Sequence, residues 1–238
     1  MDFTYESYRN LISLLKEYNF TITNYHEYHQ VEKPCILRHD VDMSIEKAVE
    51  FAELENKIDV QSTYFLLINS DFYNLYSIKN KKNIKKILEY GHEIGLHFDE
   101  KDCERDMIKN RILSEKQLLE NMLDVEIKTV SMHRPTEETL KANYKINGIV
   151  NSYGKEFFQN FKYVSDSRMF WREEVEGVIR NTEIKKLHIL THPFWYGTQK
   201  QGTREKLLDF IRKASKERYS SVDENFRNLE EFILDTEI

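Results

Sequence analysis

The chain has 238 residues, enough to bury a full core as one large domain. Its 35 Lys and Arg against 41 Asp and Glu leave a net charge of -6 and no basic stripe that could track a phosphate backbone, so nucleic acid is not an expected partner. No stretch approaches about 18 uncharged apolar residues and Met1 to Glu6 lack the order of an export signal, so we expect no membrane span and a soluble, cytoplasmic protein.

Seven glycines, three prolines and 13% aromatic residues argue against disorder, and no internal repeat is visible. Of the two cysteines, Cys35 sits in an apolar run and Cys103 in a charged loop, without disulfide or metal spacing. No exposed apolar helix stands out that would call for a protein partner. Residues 4 to 18 carry Tyr5, Tyr8, Leu11, Ile12, Leu14 and Leu15 at helical spacing before the Asn19 stop. A short strand or arm follows from Phe20 to His29, broken by Glu32-Lys33-Pro34; its His26 and His29 read as surface histidines.

The run Cys35-Ile36-Leu37 opens a core strand that ends in Arg38-His39-Asp40-Val41-Asp42. Ser44 is placed to cap a helix over 44–56, with Ile45, Ala48, Val49, Ala52 and Leu54 inward. Val60 to Leu67 is a β-branched and aromatic strand. Helical spacing then runs from Phe72 to Tyr90, and Gly91 stops it. Further strands are expected at Glu93–Phe98, Ile127–His133, Ile149–Val150, Tyr163–Ser165 and Leu187–Thr191. Helices are expected at 104–123, 136–145 and 203–236, the last in one or two pieces. Alternating strands and helices specify a parallel α/β sheet, open or closed into a barrel, whose ligands gather at the carboxyl ends of the strands.

Those ends carry Asp40 and Asp42, His97, His133 and Arg134, Asp166, and His192. Alternation along a strand points Asp40 and Asp42 one way and His39 and Val41 the other. A carboxylate with two imidazoles suits a catalytic zinc-class ion with an open coordination position. A second carboxylate can then take a proton and an imidazolium can return one. His92, at a helix-to-strand turn, and His188, mid-strand, read as structural.

Four stretches in this order carry a family resemblance: Arg38-His39-Asp40-Val41-Asp42, Gly91-His92-Glu93-Ile94-Gly95-Leu96-His97, His133-Arg134-Pro135, and Leu187-His188-Ile189-Leu190-Thr191-His192. The sequence resembles a divergent member of the polysaccharide deacetylase family, the NodB-homology group of carbohydrate esterase family 4. Residues 35 to 195 are involved, and Ser62 to Leu66 is similar to the strand that follows the first motif. The resemblance implies a distorted (β/α)7 barrel. It also implies Asp40 as general base, Asp42 and His97 as metal ligands, Arg134 as the group that orients Asp40 and keeps it ionised, and His192 as general acid. The family's second metal histidine would fall at Lys101, and an ammonium is no ligand. His133 is the leading replacement and Asp99 the next. Since His133 and Arg134 cannot both point inward from a regular strand, the strand should end there, before Pro135. Asp166 and Trp171 resemble a further motif, and we assign Tyr64, Asp166, Trp171 and Trp195 to substrate contact.

The expected protein is therefore one deacetylase-like domain over 1–238, with 1–34 an opening helix and arm and 203–238 helices packed on it. The expected activity is removal of an N-acetyl or related acyl group from a sugar or cytosolic glycan precursor with a divalent ion, zinc first. The alternatives are hydrolysis of a small non-sugar amide or cyclic amide on the same fold, and an inactive glycan-binding protein that has lost its metal.

Overall fold

Most helices begin where a hydroxyl can take up a free amide. In a computed structural model that describes residues 1–238, Thr4, Ser44, Ser77 and Thr136 cap α1 (Tyr5–Glu17), α2 (Ile45–Lys57), α3 (Ile78–Glu89) and α5 (Glu137–Ala142), each accepting from the N–H three residues on. The helix expected from Phe72 therefore starts only at Ile78, because Ser77 fixes its first turn. α4 (Ile108–Leu123) and α5 stop where Asp124 and Asn143 turn left-handed. A six-residue helix, α6 (Val175–Arg180), is too short to have shown a periodicity, and α7 (Thr203–Asp223) is the longest. The chain forms two compact units, 1–198 and 199–238, and everything that follows lies in the first. No helix is long and apolar enough to cross a membrane.

The strands are β1 (Thr21–Thr23), β2 (Pro34–Val41), β3 (Thr63–Leu67), β4 (Glu93–Asp99), β5 (Thr129–His133), β6 (Val150–Asn151), β7 (Lys162–Ser165) and β8 (Leu187–Thr191). All pair in parallel, in the order β6-β5-β4-β3-β2-β8-β7. β1 pairs with the first residues of β2, on a path of its own. The seven staves match the count the resemblance implies, and β1 is one short strand more. Every stave ends at the same rim.

The sheet is curled rather than flat. Across a flat sheet β2 and β5, three strands apart, would lie about 14 Å from each other. Yet the guanidinium of Arg38 on β2 donates to Ser131 Oγ on β5 and, at 3.1 Å, to Ser152 Oγ just beyond β6. β6 and β7 do not pair, so the barrel stays open along one seam. Side chains fill that seam: the Tyr153 and Tyr163 rings lie 6.2 Å apart, and Phe157 and Phe161 pack with Tyr25, Ile36 and Phe65. Gly95 makes room for this plug, because a Cβ there would stand 2.5 Å from the Phe65 ring. Alternation then sorts β2. Ile36, Arg38 and Asp40 face the interior, while Leu37, His39 and Val41 face the helices.

Candidate active site

The interior residues at the rim meet around Asp42. His97 on β4 places Nε2 3.2 Å from Asp42 Oδ1 and 3.5 Å from Asp40 Oδ2. His133, the last residue of β5, places Nε2 3.9 Å from Asp42 Oδ1, and its ring lies 5.1 Å from that of His97. His192, just past β8, places Nε2 3.7 Å from Asp42 Oδ2. Three imidazoles thus converge on one carboxylate, each through its ε nitrogen.

Their δ nitrogens are all anchored. Nδ1 of His97 donates to the Ser131 carbonyl at 3.2 Å, that of His133 to Asp99 Oδ2 at 3.0 Å, and that of His192 to Asp166 Oδ1 at 2.6 Å. With the proton held on Nδ1, a neutral imidazole turns a bare lone pair toward the centre. When those rings are neutral, lone pairs of His97 and His133 and the oxygen of Asp42 face one another with no donor between them. Asp42 Oδ1 is accordingly buried without a hydrogen-bond partner. An arrangement of acceptors only is what a cation requires and what a hydrogen-bonded cluster avoids. The donor atoms of Asp42, His97 and His133 all lie within 4.8 Å of one another. Two imidazoles and a carboxylate, closing a small triangle about a buried acceptor, fit a divalent ion of the zinc class.

The neighbouring groups are held in definite charge states. Asp40 is 4% exposed; burial works against its charge, but a two-pronged bond from Arg38, at 2.8 Å to Oδ1 and 2.7 Å to Oδ2, keeps it below the ordinary carboxylate range. Burial likewise opposes the charge of Asp42, and the imidazoles of His97 and His192, wherever they carry a second proton, outweigh it. For His192 burial favours the neutral ring, yet the fully buried Asp166 beside it raises its pKa to about 9. Near neutrality Asp40 and Asp42 are carboxylates and His192 is an imidazolium.

Several residues stand elsewhere than the sequence suggested. Arg134 does not hold Asp40: β5 ends at His133, Arg134 adopts a left-handed backbone at φ 51°, and its side chain is exposed. The arginine on Asp40 is Arg38, fully buried two residues earlier on the same strand face. Tyr64 cannot touch a substrate, since it is fully buried on the outer face of β3 with its hydroxyl donating to Glu55 at 2.7 Å. Asp166 serves His192, accepting from both its backbone N–H and its ring, and offers nothing to solvent. Trp195 packs on Phe194 at 4.8 Å and is 9% exposed. Trp171 is half-buried, and its indole N–H has no partner. Lys101 is exposed, in the turn after β4.

His92 and His188 hold structure. His92 accepts from the Ser62 N–H and donates to the Ala52 carbonyl, and His188 bridges the Tyr25 hydroxyl and the Phe157 carbonyl.

No family model matches the chain. No curated protein matches it either. Its fold is similar to solved carbohydrate esterases of family 4. A pseudoenzyme of that family from Bacillus anthracis is 18% identical with a TM-score of 0.46, over 78% of this chain and 62% of the other, so the chain spans under two thirds of that protein. A family 4 carbohydrate esterase from the same organism is 14% identical with a TM-score of 0.46, over 86% of each chain. The Streptococcus pyogenes deacetylase PplD, solved with acetate, is 13% identical with a TM-score of 0.46, over 79% of this chain and 80% of that one.

Proposed function

We propose that the chain is a metal-dependent hydrolase that removes an N-acetyl or related acyl group from a sugar or glycan precursor. The observation that carries this reading is the triangle of Asp42, His97 and His133 about an unpartnered buried oxygen, flanked by a held carboxylate and a held imidazolium. Asp42, His97 and His133 would hold the ion, which when bound would polarise an acyl carbonyl and make nearby water more acidic. Asp40, kept ionised by Arg38, takes the proton from the attacking water. His192, protonated near neutrality through Asp166, gives a proton to the departing amine. The sugar class rests on the resemblance that the four sequence motifs carry, and zinc is the first choice of ion for a donor set of two imidazoles and one carboxylate.

The test is turnover on a panel of N-acetylated amino sugars, free and nucleotide-linked, set against small cyclic amides, with and without chelator and added zinc. Release of acetate from the sugars alone, lost on chelation, is the expected result; turnover of the cyclic amides alone would move the reading to that substrate class. Asp40→Asn should abolish turnover while metal content stays near normal. Loss of the metal in that variant would refute the division of labour between the two aspartates.

A further inference from the structure

Asp99 stands beside the triangle but outside it. In the parallel pairing of β4 with β5, Asp99 is the register partner of His133, so the two side chains leave neighbouring strands on the same face. Both oxygens of Asp99 are taken: Oδ2 accepts from His133 Nδ1 at 3.0 Å, and Oδ1 accepts from the backbone N–H of Lys101 at 3.0 Å. The next residue fastens the two strand ends together. Glu100 accepts from the N–H of Thr136 at 2.6 Å and from the hydroxyl of Thr139, reaching from the loop after β4 to the start of α5. The distance between Asp99 and His133 is therefore set by backbone on both sides.

Given the metal reading above, we propose that Asp99 is the positioning residue of the centre. It keeps the proton of His133 on Nδ1, so that Nε2 is free to act as the third ligand, while itself staying out of the coordination sphere. The same geometry gives the turn at Lys101 a function. A lysine stands where the resembling family carries a ligand, and its side chain is exposed, but its backbone N–H orients Asp99. A carboxylate that accepts from the far nitrogen of a metal-bound imidazole fixes ring and tautomer together, and losing such a partner typically weakens metal binding about 10- to 100-fold.

Replacement of Asp99 by asparagine inverts the hydrogen bond. With its carbonyl oxygen kept on the Lys101 N–H, the asparagine turns an NH2 donor toward His133 Nδ1. The ring must then place its proton on Nε2, where it cannot bind a metal. Two measurements on Asp99→Asn, His133→Ala and the unaltered protein test this. The first is nitrogen NMR of the histidine rings in metal-free protein at mildly alkaline pH, where the neutral tautomer is read directly. His133 should be the Nδ1–H form in the unaltered protein and shift toward Nε2–H in Asp99→Asn. The second is calorimetric titration with zinc. One ion should bind the unaltered protein, about 10- to 100-fold more weakly in Asp99→Asn, and more weakly still in His133→Ala.

An unchanged tautomer or unchanged affinity in Asp99→Asn would overturn the positioning role and leave the metal reading intact. Affinity lost as completely in Asp99→Asn as in His133→Ala, with the tautomer unmoved, would make Asp99 a ligand and also overturn it. Failure of the unaltered protein to bind zinc would sink the proposed function, while the tautomer measurement still decides what Asp99 does to His133.

Discussion

Strand β2 carries two buried polar clusters on opposite faces, and they are built on different principles. On the outer face His39 donates from Nε2 to Glu55 Oε1 at 3.0 Å and accepts from the Thr191 hydroxyl at 2.6 Å. Glu55, fully buried on α2, also receives Tyr8 at 2.6 Å, Ser62 at 2.7 Å and Tyr64 at 2.7 Å. Four donors on one carboxylate leave nothing wanting, and the cluster braces α1 and α2 against β2 and β3. On the inner face Arg38 satisfies Asp40 equally well, but Asp42 keeps a buried oxygen with no partner. A satisfied network serves the fold. An unsatisfied one, with the ε nitrogens of His97 and His133 turned toward it, has the form that a cation site requires.

The comparison fails first if the outer cluster is not a brace. Glu55→Ala removes the acceptor of four buried donors and should cost about 3–5 kcal/mol of unfolding free energy in urea. A loss under about 1 kcal/mol would show that the cluster is incidental.

One group from each cluster should report at opposite ends of the pH scale. For Glu55 burial favours the protonated form, but His39 and the hydrogen bonds bring the folded pKa down to about 2 from an ordinary 4.5. Its contribution is complete above pH 4.5 and is lost as the pH falls toward 2. His192 is the reverse case. Its folded pKa of about 9 lies above the ordinary 6.5, so its contribution is complete below pH 6.5 and disappears as the pH rises toward 9. Each limb can reach about 3 kcal/mol in metal-free protein. Urea midpoints against pH should show Glu55→Gln flattening only the acid limb and His192→Gln only the alkaline one. Either variant flattening both limbs would deny that the clusters act independently.

The smallest effect belongs to Asp42. Because one of its oxygens has no hydrogen bond, Asp42→Asn should cost the metal-free protein clearly less than Glu55→Ala does. A loss comparable to that of Glu55→Ala would mean that Asp42 is as structural as Glu55.

The sequence made much of the inner face readable, because parity along a strand is a strict rule. Asp40 with Asp42, and His39 turned away from both, follow from alternation alone. The same rule places Arg38 beside Asp40, and following it would have preferred Arg38 to Arg134. The motif resemblance points to Arg134 instead, but the strand ends before Pro135 and the left-handed turn at Arg134 sends its side chain outward. Glu55 also had a signal, falling on the buried stripe of α2 with Ala48 and Ala52. A lone glutamate on such a stripe gives no hint of its four partners, which come from β2, β3, the residue before β3 and α1. Tyr64 shows the converse difficulty, since an aromatic residue near a motif can face either way until the register of its strand is known. The curl of the sheet is implied by the family resemblance and by no strand pattern, since what registers it is Arg38 spanning the interior to Ser131 and Ser152.

The most direct measurement is a crystal structure of the zinc-soaked protein with anomalous scattering recorded across the zinc edge. The expected result is one strong anomalous peak about 2.0–2.2 Å from a carboxylate oxygen of Asp42 and from Nε2 of His97 and His133, with Asp99 still on His133 Nδ1. No peak between these three side chains, or a peak held by other residues, would contradict the assignment of this cluster as a metal centre.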